Sequence, residues 1–118
     1  MTLKECYEAI GGDYEEVIGR LRSERLVQKF TIKFMDDKSL ELLQESLKTE
    51  NYEEAFRAAH TIKGICQNLS FNRLLASSSA LTEALREGGS PEALGLVEQV
   101  IADYEQTISA IKAFQSSL

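Results

Sequence analysis

Apolar side chains recur at steps of three and four residues along most of the chain, which is the spacing of one face of an α-helix. No segment shows a convincing alternation of the kind that predicts a β-strand. The most regular stripe, expected to pack a core, lies near the C-terminus and consists of Leu94, Val97, Ile101, Tyr104, Ile108 and Ile111. The pattern predicts an all-α protein.

Capping signals predict three helices in the N-terminal part of the chain. Thr2 and Asp13 are placed as N-caps of two short helices, and the first of these is ended by a glycine pair. A third helix is predicted to begin near Ser23. Its apolar stripe is formed by Leu26, Val27, Phe30 and Phe34.

Four further helices are predicted to follow. Ser39 is placed as the N-cap of a helix with a leucine face, and Asn51 caps the next, with Glu54 completing a pattern close to a capping box. The remaining boundary signals are Ser70 or Asn72, Gly88 with Gly89, and Ser90 with Pro91. Since short connections make successive helices antiparallel neighbours, the predicted fold is an antiparallel up-down four-helix bundle with short extra N-terminal helices, spanning residues 1–118 as one domain.

Charge and cysteine content narrow the possible partners. A formal net charge of −6 is unsuited to nucleic acid and to anionic membranes. The polar start and the lack of a long apolar run predict neither a signal peptide nor a membrane span, so the cytoplasm is the expected compartment. Cys6 and Cys66 are too few and too isolated for a disulfide scaffold or a metal site and are interpreted as reduced, structural thiols.

His60 is the only histidine of the chain, which limits the chemistry it can support. A metal site needs several ligands at suitable spacing, and no HExxH or CxxC pattern is present. There is no nucleophile elbow for hydrolysis and no glycine-rich phosphate loop for ATP or NAD. A site built from paired carboxylates stays open, although no particular pair is indicated.

Helical geometry places His60 on a mostly polar stripe of its helix. At about 100° per residue, the face expected to enter the core consists of Tyr52, Ala55, Ala59, Ile62, Cys66 and Leu69. The side chains that project within roughly 60° of His60 are those of Phe56, Arg57, Lys63 and Gln67, together with the bare position Gly64. Since a glycine inside a helix costs about 1 kcal/mol relative to alanine, Gly64 suggests that something approaches the helix closely.

One chemistry that uses such a stripe is phosphoryl transfer. A neutral imidazole can accept a phosphoryl group on a ring nitrogen, the Lys63 ammonium would offset the new negative charge, and Gly64 would leave room for a second protein. An ordinary surface histidine beside an accidental lysine and glycine is the alternative interpretation of the same spacing.

The segment "AHTIKGICQNLS" resembles the signature of histidine-containing phosphotransfer (HPt) domains, and the likeness covers residues 39–88. In this resemblance His60 matches the phosphoacceptor, Lys63 the charge-stabilising residue and Gly64 the glycine that provides steric clearance. Phe56, Arg57 and Gln67 are the expected partner-binding residues. Ser70 stands where the pattern often has a second glycine, so a slightly different helix exit is expected.

The resemblance implies a monomeric four-helix phosphocarrier, not an enzyme with turnover of its own, that passes a phosphoryl group between aspartates of receiver domains in two-component signal transduction. The implied partners are response-regulator receiver domains, with a hybrid histidine kinase as a further candidate. No cofactor is implied, and Mg²⁺ would belong to the receiver. A helical adaptor that binds a partner through the same surface without covalent chemistry is the alternative function.

Overall fold

The computed structural model describes residues 1–118, and the chain is helical almost throughout. In chain order the helices are α1 (Leu3–Ile10), α2 (Tyr14–Leu21), α3 (Glu24–Lys33), α4 (Ser39–Lys48), α5 (Tyr52–Leu69), α6 (Asn72–Leu85) and α7 (Pro91–Ser116), with a 3₁₀ turn at Phe34–Asp36. None of these helices has the length and apolarity that crossing a membrane requires.

Helices α4 to α7 form the predicted bundle. Each packs against the next in the chain, α4 on α5, α5 on α6 and α6 on α7, across short connections that make them antiparallel. The short N-terminal helices are also present, and α1 packs along α7. The predicted fold class is therefore confirmed, with the difference that α4 has only 10 residues.

Most predicted caps are confirmed. The side chains of Thr2, Asp13, Ser23, Asn51 and Ser90 each accept a hydrogen bond from a backbone N–H in the first turn of the helix that follows. Pro91 occupies the first turn of α7, as expected.

The prediction that Ser39 caps α4 is wrong. Ser39 is the first residue of the helix, and the flanking Lys38 offers no side-chain hydrogen bond. Asp37 performs the capping function instead, because its Oδ2 accepts from the Ser39 backbone N–H at 3.1 Å and its Oδ1 from the Ser39 hydroxyl at 2.9 Å. The Tyr104 hydroxyl donates to the same carboxylate at 2.6 Å, which ties the start of α4 to α7.

The apolar stripe of α7 is only partly the face that enters the core. Tyr104 and Ile111 are buried, Val97, Ile101 and Ile108 are half-buried, and Leu94 is 46% exposed. The buried face is rotated by roughly 90° from the predicted one and consists of Ala93, Val100, Asp103, Tyr104, Thr107, Ala110, Ile111 and Phe114. This face includes polar side chains because their hydrogen bonds are satisfied there. Thr107 donates to the Asp103 carbonyl, and Gln99 donates to the Asp103 carboxylate.

The apolar stripe predicted for α3 is also only partly buried. Val27 is fully buried and Phe34 is 3% exposed, whereas Leu26 and Phe30 are exposed to 38% and 39%. The end of α6 also differs from the prediction, because the helix stops at Leu85, before the glycine pair. The glycine that follows, Gly88, has φ +99°, a conformation in which a side chain would be strained.

The N-terminal segment completes the C-terminal end of α5. The last carbonyls of a helix have no partner inside it and need one elsewhere. Here the Asn68 carbonyl accepts from the Arg20 guanidinium at 2.9 Å, and the Leu69 carbonyl accepts from the Tyr7 hydroxyl at 2.8 Å. The Ser70 carbonyl accepts from the backbone N–H of Asp13 at 2.9 Å. Helices α1 and α2 therefore hold the end of the helix that carries His60.

Cys6 and Cys66 are free, buried thiols, as the sequence indicated. The Cys6 thiol lies 3.7 Å from the Ala110 carbonyl oxygen, its acceptor. Burial raises the pKa of the Cys6 thiol to about 11, and it also raises the pKa of Cys66. Both side chains therefore act as small apolar core residues at neutral pH.

Candidate functional site

Helix α5 has one face in the core and one in solvent. Ala55, Ala59, Ile62 and Cys66 are fully buried, at the spacing of three and four residues that the sequence predicted. Tyr52, expected on the same face, is half-buried, and Ala58 joins the buried set. His60 lies on the opposite, exposed side.

The imidazole of His60 is available to react with a partner. Its side chain is exposed and makes no hydrogen bond to any other residue of the chain. Its ring packs beside that of half-buried Phe56, with 6.0 Å between centroids and 39° between planes. The Phe56 contact supports one side of the imidazole and leaves its nitrogens free.

Two arginines share a surface depression with His60. The depression has a volume of about 460 Å³ and is lined by Phe56, Arg57, His60, Thr61 and Arg86. Arg86 follows the end of α6, and its guanidinium carbon lies 5.2 Å from the centroid of the Phe56 ring, within range of a cation–π contact. Phe56 thus contacts both the imidazole and the guanidinium.

Each of these arginines is paired with carboxylates. Arg57 Nη2 lies 2.7 Å from Glu53 Oε1, and Arg57 Nη1 contacts Glu54. Arg86 donates to Glu83 through Nε at 3.2 Å and through Nη2 at 3.0 Å. The hydrogen bonds from Arg86 lower the pKa of the Glu83 carboxyl below its ordinary value and raise the pKa of the Arg86 guanidinium.

Lys63 and Gly64 follow His60 on the same side of α5. Lys63 is half-buried and pairs with no carboxylate, although its charge contributes to the lowered pKa of Glu83. A Cβ atom added at Gly64 would meet no atom within 4 Å, so nothing inside the protein requires glycine there. Gln67 is exposed further along the helix. The roles of these residues in phosphoryl transfer and partner binding stay predictions.

Ser70 ends α5 in the conformation that a C-capping glycine usually adopts. Its φ of 57° lies in the left-handed region, and the expected change of helix exit stays a prediction. Its hydroxyl donates to Glu16 Oε1 at 2.6 Å and accepts from Arg20 Nη1 at 2.9 Å. These bonds offset the strain of a non-glycine residue in this conformation.

A second depression, the α3–α5 groove, borders the exposed side of α5. It has a volume of about 520 Å³, and its apolar lining consists of Leu21, Phe30, Phe34, Ile65 and Leu69. Ile65 directly follows Gly64 in the chain, so the groove begins beside the predicted clearance position. Phe30 is 39% exposed because it lines this groove instead of packing into the core.

Sequence reasoning missed Arg86, Glu83 and the groove. A signal for the first two was available, because α5 and α6 are antiparallel around the turn at Ser70 and Phe71. Counting outward from that turn places Arg86 beside Phe56, one turn from His60. The groove had no such signal, since it depends on how α3 lies against α5.

The described residues contain no group of three or more His, Cys, Asp or Glu side chains that could hold a metal ion. A family model described as Hpt domain matches residues 25–112. No curated protein and no solved structure matches the chain. The matched region includes the whole depression around His60 and leaves α1 and α2 outside.

Proposed function

We propose, from the premise that the chain belongs to the Hpt domain family, that His60 accepts a phosphoryl group from the aspartate of one receiver domain and passes it to the aspartate of another. The family supports a histidine phosphotransfer role in phosphorelays. The assignment to His60 rests on one observation. It is the only histidine of the chain, it is exposed on α5, and its imidazole makes no hydrogen bond within the protein.

The transfer is a displacement at phosphorus. The lone pair of the attacking imidazole nitrogen forms the N–P bond while the bond between phosphorus and the aspartyl oxygen breaks. The bonding electrons leave with the aspartate, which becomes a free carboxylate, and the other ring nitrogen keeps its proton. Passing the group on is the reverse displacement by a second aspartate. No atom is consumed, so the chain is a carrier without turnover of its own.

Positive side chains lie near His60, where they can contact a transferring phosphoryl group. The net charge of the chain is −6, yet Arg57, Lys63 and Arg86 surround or neighbour the imidazole. Cations near a transferring phosphoryl group lower the energy of the charge it develops. Lys63, which has no carboxylate partner, is the cation most readily available to the incoming group.

The receiver is proposed to dock across the exposed side of α5 and the α3–α5 groove. A stable interface covers on the order of 800 Å² on each partner, a patch roughly 30 Å across. Ile65 lies about 8 Å from His60 along the helix axis and projects about 140° away from it around the helix, so a receiver that contacts both must extend from the imidazole past Gly64 to the groove. Phe30 would supply an apolar anchor at the edge of this interface, and Phe56, Arg57 and Gln67 lie within it.

The proposal places the protein in the cytoplasm as a monomer and leaves the divalent cation to the receiver. It also includes a hybrid histidine kinase as a possible source of the phosphorylated receiver.

The test is phosphoryl transfer from receiver domains loaded with radiolabelled acetyl phosphate. The chain should acquire a label that is lost in acid and kept in base, as expected for a phosphoramidate. His60→Gln should take up no label, while its stability stays within about 0.5 kcal/mol of the original because the side chain is exposed. Label on the His60→Gln variant would contradict the assignment.

Receiver binding separates the carrier from the adaptor. If several competent receivers bind the chain and none transfers label to it, the adaptor function is correct. Phe30→Ser should weaken receiver binding, whereas Leu94→Ser, a change at a side chain of similar exposure on α7, should not. Equal affinities for these two variants would remove the groove from the interface.

A further inference from the structure

The carboxylates beside the His60 depression are placed to oppose the phosphoryl group. Three of them, Glu53, Glu54 and Glu83, pair with the two arginines that line the depression. The three glutamates carry three negative charges, and Arg57, Arg86 and Lys63 carry three positive charges. The surroundings of the imidazole are thus electrically balanced before phosphorylation and become negative after it.

Glu83 is linked to the reacting ring through Arg86 and Phe56. Its carboxylate accepts hydrogen bonds from Nε and Nη2 of Arg86. These two donors form the edge of a guanidinium that gives two parallel hydrogen bonds to an oxyanion. The same guanidinium lies over Phe56, whose ring packs beside His60. Arg86 and His60 line the same depression, so a phosphoryl group on His60 would be a second oxyanion in the depression that this guanidinium lines.

We infer that Glu83 competes with the phosphoryl group on His60 for Arg86 and thereby keeps the phosphohistidine from becoming too stable to pass its group on. This inference rests on the proposed function. In the resting protein Arg86 donates to Glu83. After transfer, Arg86 turns part of its donors to the phosphoryl oxygens, and the repulsion between Glu83 and those oxygens favours departure of the group to the next aspartate.

Competition and simple positioning predict changes of opposite sign in the stability of the phosphohistidine when Glu83 is replaced by Gln. If Glu83 only holds Arg86 in place for the phosphoryl group, then Glu83→Gln and Arg86→Gln should both weaken the phosphohistidine. If Glu83 competes, Glu83→Gln should strengthen it while Arg86→Gln weakens it. The pair is exposed, so the expected size is that of an exposed charge interaction, about two- to fivefold in equilibrium at low salt.

The experiment measures how the phosphoryl group divides between His60 and one receiver aspartate at equilibrium. Glu83→Gln should raise the equilibrium ratio of phosphohistidine to phosphoaspartate about two- to fivefold and slow phosphohistidine hydrolysis, and Glu83→Asp should restore much of the original ratio. Glu98→Gln on α7 is the matched control, because it removes the same charge from an exposed carboxylate that pairs with no arginine. Melting temperatures should not differ among the variants.

The double variant Glu83→Gln with Arg86→Gln tests the role of the guanidinium. Competition for Arg86 requires that the effect of Glu83→Gln shrink when Arg86 is absent. An effect that persists in full without Arg86, or a phosphohistidine share that falls in Glu83→Gln, would overturn the inference while leaving the carrier role of His60 in place. A wild-type chain that takes up no label would overturn the proposed function itself, and the inference with it.

Discussion

The two faces of helix α5 respond to different constraints, although their residues alternate along the same 18 positions. The core face is closely packed, and Ala55, Ala59 and Ile62 are fully buried against the neighbouring helices. The exposed face has His60, a bare glycine and ion pairs that solvent screens. Changes on the core face should therefore alter stability without altering chemistry, and changes on the exposed face should do the reverse.

The largest effect on stability is expected from Ile62→Ala, two residues from the histidine. Ile62 is fully buried, so removing its side chain leaves a cavity and should lower the free energy of unfolding by about 2–5 kcal/mol. Denaturant unfolding measures the loss, with His60→Gln as the matched variant on the other face. The folded fraction of Ile62→Ala should still accept the phosphoryl group at the original rate. A loss of acceptance in that fraction would show that the two faces are not independent.

The next effect concerns Gly64 and runs in the opposite direction. Gly64→Ala should raise the free energy of unfolding by up to about 1 kcal/mol, because a Cβ there meets no atom within 4 Å and alanine favours the helix. Gly64→Leu should keep the fold but slow transfer by on the order of a hundredfold, because a displacement of about 1 Å at the reacting atoms has an effect of that size. Transfer rates and melting temperatures should be compared across glycine, alanine and leucine. Normal transfer by a well-folded Gly64→Leu would remove the steric role of the glycine.

An effect on stability alone is expected at the end of α5, where the N-terminal segment contacts the helix. Tyr7→Phe keeps the ring but removes the hydroxyl that donates to the Leu69 carbonyl, which then stays buried without this partner. The free energy of unfolding should fall by about 1–3 kcal/mol. Tyr14→Phe is the control, since its hydroxyl makes only an exposed bond to Glu24. Equal stability of the two variants would mean that the hydroxyl of Tyr7 does not support the helix end.

The smallest effect is predicted for Lys63→Ala. An exposed or half-buried charge that acts without a fixed partner contributes less than about 1 kcal/mol, so transfer should slow by no more than roughly fivefold at low salt and less at high salt. Lys112→Ala on α7 is the matched change of charge. Identical transfer rates for the two variants at low salt would leave Lys63 without a chemical role.

The sequence predicted the local features of α5 well because they depend on residues within a few turns of each other. The face of His60 and the core face opposite it follow from helical periodicity, and the Asn51 cap follows from the preference of asparagine for the N-cap position. The face of α7 could not be predicted as well, because its buried residues include Asp103 and Thr107. Their burial depends on hydrogen bonds that hydrophobicity does not reveal.

The cap of α4 and the surroundings of His60 needed information from more distant residues. Ser39 is a residue type that N-caps favour, but the Asp37 carboxylate accepts from its backbone N–H and also accepts from Tyr104 of α7. Arg86, which pairs with Glu83, reaches the His60 depression only through the antiparallel packing of α6 on α5. Such contacts join residues far apart in the chain, so they follow from how the helices pack and not from the pattern within one helix.

The support of α5 by the N-terminal segment has a consequence for the order of folding. The hydrogen bonds from Arg20 and Tyr7 to the end of α5 join residues 48 and 62 positions apart. Closing segments of that length costs chain entropy before any contact is gained, so these bonds should form late, after the local hairpins between α4, α5 and α6. During synthesis Tyr7 and Arg20 emerge before α5, but they form these hydrogen bonds only after α5 has packed. In kinetic terms, the carbonyls at the end of the helix that carries His60 acquire these partners only when Tyr7 and Arg20 pack against it.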